Sequence, residues 1–128
     1  MKTIIAGSRT IQDLATIEEA IQKSKFHITS IVSGGAKGVD TLAETWAKIN
    51  NVPCQVFPAD WKNLTAPNAF VKTNSYGKYN ALAGMDRNKK MAKEGDALIA
   101  IWDGKSTGTK NMIDLAYEYE LDVFVYNP

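Results

Sequence analysis

At 128 residues, 45% of them hydrophobic and 23% charged, the chain has the size and apolar content of one domain with a proper core, and no second domain is expected. Fifteen basic residues against fourteen acidic leave a formal charge of +1, which excludes a strong overall field for wrapping nucleic acid or docking on a membrane, so any anion site must be local. A single cysteine cannot make an internal disulfide, no apolar run approaches membrane-spanning length, and Met1–Ala6 is too short for a signal peptide, so a cytoplasmic protein is expected.

Residues 3 to 6 read as an apolar strand that stops at Gly7-Ser8-Arg9-Thr10, after which Ile11, Leu14, Ile17 and Ile21 trace one face of a helix. Ser8 or Thr10 is the expected cap of that helix, and Arg9, beside a glycine at the strand's carboxyl end, can fork onto a phosphate or carboxylate. His27 lacks a partner at metal-ligand spacing and reads as a surface or packing residue. Ser30-Ile31-Val32 forms a second brief strand. The turn Ser33-Gly34-Gly35-Ala36-Lys37-Gly38-Val39-Asp40 follows, leading into a helix marked by Val39, Leu42, Ala43, Trp46 and Ala47. Glycine permits positive φ and removes side chains that would hold a ligand away, while the first helical amides favour an anion, so this turn is a candidate phosphate cradle. A tight turn without a ligand is the alternative.

Cys54-Gln55-Val56-Phe57 reads as a third strand, with Cys54 a small core residue. Residues 58 to 83 break the rhythm and read as one long polar loop, whose Trp61, Phe70, Tyr76 and Tyr79 either stack on a base or anchor the insertion. Asp86 is the expected cap of a short helix carrying Arg87, Asn88 and Met91; the four-residue spacing puts Arg87 on the apolar face, where it needs an anion. The apolar run Ala97–Ile101 suits a central parallel strand. Trp102-Asp103-Gly104-Lys105-Ser106-Thr107-Gly108-Thr109 is a third glycine turn opening a helix with Met112, Ile113, Ala116 and Tyr119 on one side, and Asp122–Tyr126 is the last strand.

Strands alternating with helices of this length predict an α/β chain, a Rossmann-like three-layer domain over residues 1–128 with a five-stranded parallel sheet in the order 3-2-1-4-5. In that order the first and fourth strands flank the point where strand order reverses, and the glycine turns lie on that edge.

The motifs Gly7-Ser8-Arg9, Ser33–Asp40, Pro58-Ala59-Asp60-Trp61, Arg87-Asn88 and Trp102–Thr109, agreeing in type and order over nearly the whole chain, resemble the YspA-related branch of the SLOG superfamily. That resemblance implies a Rossmann-type domain binding nucleotides or nucleotide-derived ligands, often bacterial or phage-borne. The superfamily also holds the Lonely Guy phosphoribohydrolases and the DNA-processing protein A fold. Neither G-x-G-x-x-G nor G-x-x-x-x-G-K-[ST] can be placed on the central turn, which weakens a dinucleotide or P-loop reading. Against the phosphoribohydrolases, Arg87 and the pair Gly108-Thr109 match, but Met112 stands where they carry a glutamate.

The leading expectation is therefore a domain that binds a nucleotide or an ADP-ribose-like ligand, as sensor, carrier or sequestering domain. The phosphates would lie on the amides of Gly34, Gly35, Gly38, Gly108 and Thr109, and Arg9 and Arg87 would supply charge. Gly7, Ser8, Ala36, Lys37, Asp40, Asn88, Trp102 and Gly104 complete the predicted site. No metal and no cofactor are expected, and a homo-oligomer is. The enzyme alternative is N-glycosidic hydrolysis of nucleoside monophosphates, with Arg87 and Asp103 as its candidate catalytic residues and Asp40 or Asp114 as other replacements for the missing carboxylate. The second alternative, single-stranded nucleic-acid binding, needs basic grooves and stacking platforms, and the near-neutral charge counts against a nucleic-acid partner.

Overall fold

The computed structural model describes residues 1–59, 71–74, 77–80 and 82–128. Along the chain run β1 (Lys2–Gly7), α1 (Leu14–Ser24), β2 (Ser30–Ser33), α2 (Val39–Ile49), β3 (Cys54–Val56), β4 (Val71–Asn74), β5 (Gly77–Asn80), α3 (Ala83–Glu94), β6 (Ala97–Ile101), α4 (Thr107–Glu118) and β7 (Asp122–Tyr126). Five of the strands form a parallel sheet in the order β3-β2-β1-β6-β7, the predicted 3-2-1-4-5 arrangement.

Strand alternation divides the core between the two faces of this sheet. Ile4, Ala6, Leu98 and Ala100 point to one side, where Met91 and Ala92 of α3 and Met112, Ile113, Leu115 and Ala116 of α4 cover them. Ile5, Ile31, Ile99 and Ile101 point to the other, under Ile17 and Ala20 of α1 and Val39, Ala43 and Ala47 of α2. Residues of β1 and β6 are shielded on both faces, which is why these strands are continuous apolar runs, and this double cover makes the domain three-layered. No helix among the described residues is long and apolar enough to cross a membrane.

Several local expectations are corrected. The helix cap after β1 is Asp13, whose side chain accepts from Ala15 N, rather than Ser8 or Thr10, because α1 begins only at Leu14. Asp86 lies within the first turn of α3 and the cap position falls to Leu82. Cys54 is exposed, since β3 is an edge strand with all three residues at the surface. The stretch read as one loop contains an antiparallel hairpin, β4 paired to β5 with Asn74 opposite Gly77. Its strands are rich in lysine and asparagine, so neither apolar alternation nor β-branched content marks them. Trp61, Phe70 and Tyr76 lie outside the described residues.

Candidate functional site

The loops at the carboxyl ends of β1 and β6 are tied together by short polar contacts. Ser8 N donates to Ile101 O at 3.1 Å, and Asp103 N donates to the Ser8 hydroxyl at 3.3 Å. The start of α2 packs onto the same loop, with Val39 N donating to Ser8 O at 3.4 Å. That approach requires glycine at position 38, where φ is +79° and a Cβ would sit 2.6 Å from Ser8 O. Ser8 is thus a buried junction of three loops.

These loops, with α3 and the first turn of α4, surround a cleft of about 680 Å³ at the point where the strand order reverses. Of the predicted residues, Gly7, Ser8, Arg9, Ala36, Asp40, Arg87, Asn88, Gly108 and Thr109 line it, as does Asp103. Gly34, Gly35, Lys37, Gly38, Trp102 and Gly104 do not line the cleft. Lys37 and Lys105 are exposed next to lining residues on two of its loops. Trp102 is anchored by its indole N–H on Ser106 O at 3.0 Å and packs against the core.

The central glycine turn satisfies much of its own polarity. Gly35 N donates to the Ser33 hydroxyl at 3.2 Å, and Ala36 N donates to Asp40 Oδ2 at 3.2 Å. Arg87 Nη1 donates to Gly34 O at 2.5 Å. The anion beside this turn is therefore the chain's own Asp40 carboxylate, and the amides of Gly35 and Ala36 are taken by internal partners. Gly34 is glycine because a Cβ would run into the Arg87 guanidinium and lie 2.7 Å from Asp40 Oδ2.

The charges follow from this packing. Burial pushes the Asp40 carboxyl up to about 6, against the opposing effects of the Ala36 amide, Arg87 and Arg9, while Glu44 adds to the rise. Burial lowers the Arg87 guanidinium; Asp40 works against that, and nearby Arg9 adds to it. Asp103 accepts from Lys105 N and Ser106 N, both at 2.8 Å, and these amides hold it below the usual carboxylate range. An ionised carboxylate committed to its own turn is a poor proton donor, so Asp103 is badly placed as a general acid. Asp114 is exposed and pairs with Lys110 at 2.9 Å. Met112, which stands in the place of the missing glutamate, lines the cleft and is buried.

At the remaining end of the cleft, Ser106 caps α4 by accepting from Thr109 N at 3.4 Å, and the amides of Thr107 and Gly108 have no intrahelical acceptor. A Cβ at Gly108 would meet nothing within 4 Å, so open space lies beside this helix start. Sequence reasoning missed Asn111, one turn beyond Gly108, and Met85 of α3, both of which line the cleft. The i, i+3 spacing from Gly108 was the available signal for Asn111.

Fold and cleft together define a Rossmann-like domain with its site at the switch point of the sheet. Residues 1–64 match the YspA, cpYpsA-related SLOG family, and the chain belongs to that family. It is 30% identical to the gene 61 protein of Mycobacterium phage D29, over 86% of this chain and 83% of the phage protein. Among solved structures it is similar to DNA processing protein A of Streptococcus pneumoniae, with a TM-score of 0.71 and 22% identity, covering 99% of this chain and 50% of that one. It is also similar to DNA processing protein A of Helicobacter pylori, described for its unique single-stranded DNA binding mode, with a TM-score of 0.64 and 22% identity. That match covers 100% of this chain and 66% of the other. The chain therefore spans half of the first of these proteins and just under two thirds of the second.

These matches correct the expectation of a small nucleotide-type partner with nucleic acid unlikely. Both structures sharing the fold are DNA-processing proteins, and one is described by the single strand it binds. That expectation was argued from net charge. A sum of +1 over the whole chain says nothing of how charge is distributed, and the cleft is lined by Arg9 and Arg87 with Lys37 and Lys105 exposed on adjoining loops.

Proposed function

We infer that this domain binds single-stranded nucleic acid, with the phosphodiester backbone running across the carboxyl edge of the sheet and through the cleft. The observation that carries this is the excess of cationic over anionic side chains on the loops around the cleft. Arg9 and Arg87 both line the cleft and Lys37 and Lys105 stand exposed on adjoining loops, four cations against the two lining carboxylates Asp40 and Asp103, each of which accepts from backbone amides of its own loop. Such an excess favours an anion, and the α4 amides that have no intrahelical acceptor add dipole at the same cleft. The side chain of Met85, 46% exposed and in the lining, offers a base a non-polar surface. The likeness in fold to a protein described for its single-stranded DNA binding mode supports the same reading.

Anisotropy titration of a fluorescein-labelled dT 20-mer tests it. Binding is expected to weaken between 50 and 200 mM salt, with a log–log slope of roughly −0.7 for each phosphate neutralised. Arg9→Ala is expected to lower affinity for all sequences alike and to reduce the slope by about one contact, without destabilising the fold because Arg9 is exposed. Failure to bind the 20-mer at 50 mM salt, or binding indifferent to salt and to Arg9→Ala, would overturn the reading.

A further inference from the structure

A chain of side-chain hydrogen bonds crosses the wall of the cleft between α3 and α4. Arg87 Nε donates to Asn88 Oδ1 at 3.0 Å. Asn88 Nδ2 then donates to Gly108 O at 3.3 Å and to Asn111 Oδ1 at 2.9 Å. The direction of this chain is set at both ends, because a guanidinium can only donate and a backbone carbonyl can only accept. The oxygen of Asn88 must face Arg87, its amino group must face Gly108, and Asn111 must turn its oxygen to that amino group. Asn88 is 6% exposed and has both ends of its carboxamide engaged, so the chain is held rigidly. What remains is the Nδ2 group of Asn111, a donor with no protein acceptor among the described residues. It belongs to a half-buried residue that lines the cleft.

We propose that Asn111 is a base-selecting residue, whose amino group reads a keto oxygen of a nucleobase lodged in the cleft and disfavours adenine. A carboxamide that reads adenine uses both its ends, its oxygen accepting from the 6-amino group and its nitrogen donating to N7. Here Asn88 takes one lone pair of that oxygen and holds it towards α3, and Arg87 on the same wall is a donor as well. Adenine offers such a wall a ring-nitrogen acceptor only beside an amino group that meets donors. Thymine presents O4 or O2, guanine presents O6 beside N7, and each offers acceptors to such a wall. The cleft, at about 680 Å³, accommodates a purine as readily as a pyrimidine, so selection rests on this polarity and not on size.

This inference rests on the reading of the domain as a binder of single strands, and the test separates the two. Affinities for labelled dT and dA 15-mers are measured by anisotropy for the unaltered protein and for Asn111→Leu, with thermal melting to confirm that the variant is folded. One neutral hydrogen bond predicts about a three- to tenfold preference for dT in the unaltered protein, which collapses in Asn111→Leu through loss of dT affinity alone. Self-stacking of the free dA strand is common to both proteins and cancels when their ratios are compared. Asn111→Asp keeps the acceptor for Asn88 and replaces the donor by an oxygen; the dT preference is expected to fall below one, on top of a uniform loss from the added charge. A dT to dA ratio unchanged by both substitutions overturns the role of Asn111 while leaving single-strand binding in place. Absence of binding to either strand removes the binding reading and this inference with it.

Discussion

Asp40→Asn should stabilise the protein near neutral pH, although it removes a hydrogen-bonded, buried carboxylate. Asp40 is 6% exposed, its Oδ2 accepts from Ala36 N at 3.2 Å, and its carboxyl is pushed from 3.8 to about 6, first by burial. Between those values the folded state holds a proton that the unfolded state has released, so stability falls as pH rises. The favourable contribution is complete below pH 3.8 and is lost as pH climbs through about 6. At about 1.4 kcal/mol for each pH unit, the ionised side chain at pH 7.5 costs about 3 kcal/mol relative to its neutral form. Asparagine keeps an oxygen for the Ala36 amide and never ionises; the attraction of Arg87 and Arg9 is already contained in the value of about 6, and any imperfect fit of the new amino group offsets part of the gain. The expected net effect is about 1–3 kcal/mol of added stability at pH 7.5, or roughly 3–5 °C in Tm for each kcal/mol, closing to within about 1 kcal/mol at pH 4.5. Urea denaturation of both proteins across pH 4.5 to 8 measures the difference directly, since all other carboxylates titrate alike in the two. A variant less stable than the parent by a margin that does not change with pH would refute the argument, because the Asp40 charge would then be held favourably by Arg87.

Gly34→Ala should lose about 1–3 kcal/mol in urea denaturation, since the new methyl group falls on the Arg87 guanidinium and 2.7 Å from Asp40 Oδ2; an unchanged midpoint would contradict the packing of that turn. Gly108→Ala should do the opposite to stability, gaining up to about 1 kcal/mol, because it stands in the first turn of α4 with open space around it. The same methyl group crowds the α4 amides, so single-strand affinity measured by anisotropy should fall as Tm rises. Parallel loss of both would mean that Gly108 is needed for the fold itself. Gly35→Val should destabilise by about 1–2 kcal/mol in thermal or urea melts, since φ is +73° there and the side chain meets Val56 at 3.0 Å.

Much of the architecture is legible along the chain because its signals are local. The apolar runs of β1 and β6 and the helical spacing of Val39, Ala43 and Ala47 are short-range patterns, and the glycine turns punctuate them at equivalent places. Alternation of strand and helix then leaves few parallel arrangements, and the observed order β3-β2-β1-β6-β7 follows, with the site on the edge where the first glycine turn and the third face each other. The hairpin β4–β5 escaped because polar strands paired only to each other carry no alternation.

Tertiary structure alone decided what each site residue holds. Sequence spacing put Arg87 on an inward face and required an anion for it, but the pairing with Gly34 O spans 53 residues, beyond the reach of any local pattern. Asp40 stood at the start of a helix, where a carboxylate repels phosphate. Only the fold of the preceding turn shows it bonded to Ala36 and buried. Asn111 carried no motif; the role proposed for it depends on α3 and α4 lying side by side, which directs a hydrogen-bond chain from Arg87 through Asn88 to the Asn111 oxygen. Net charge is blind to such placement for the same reason. It is a sum over the chain, whereas a binding site is a question of which charges the fold brings together and which of them it has already neutralised.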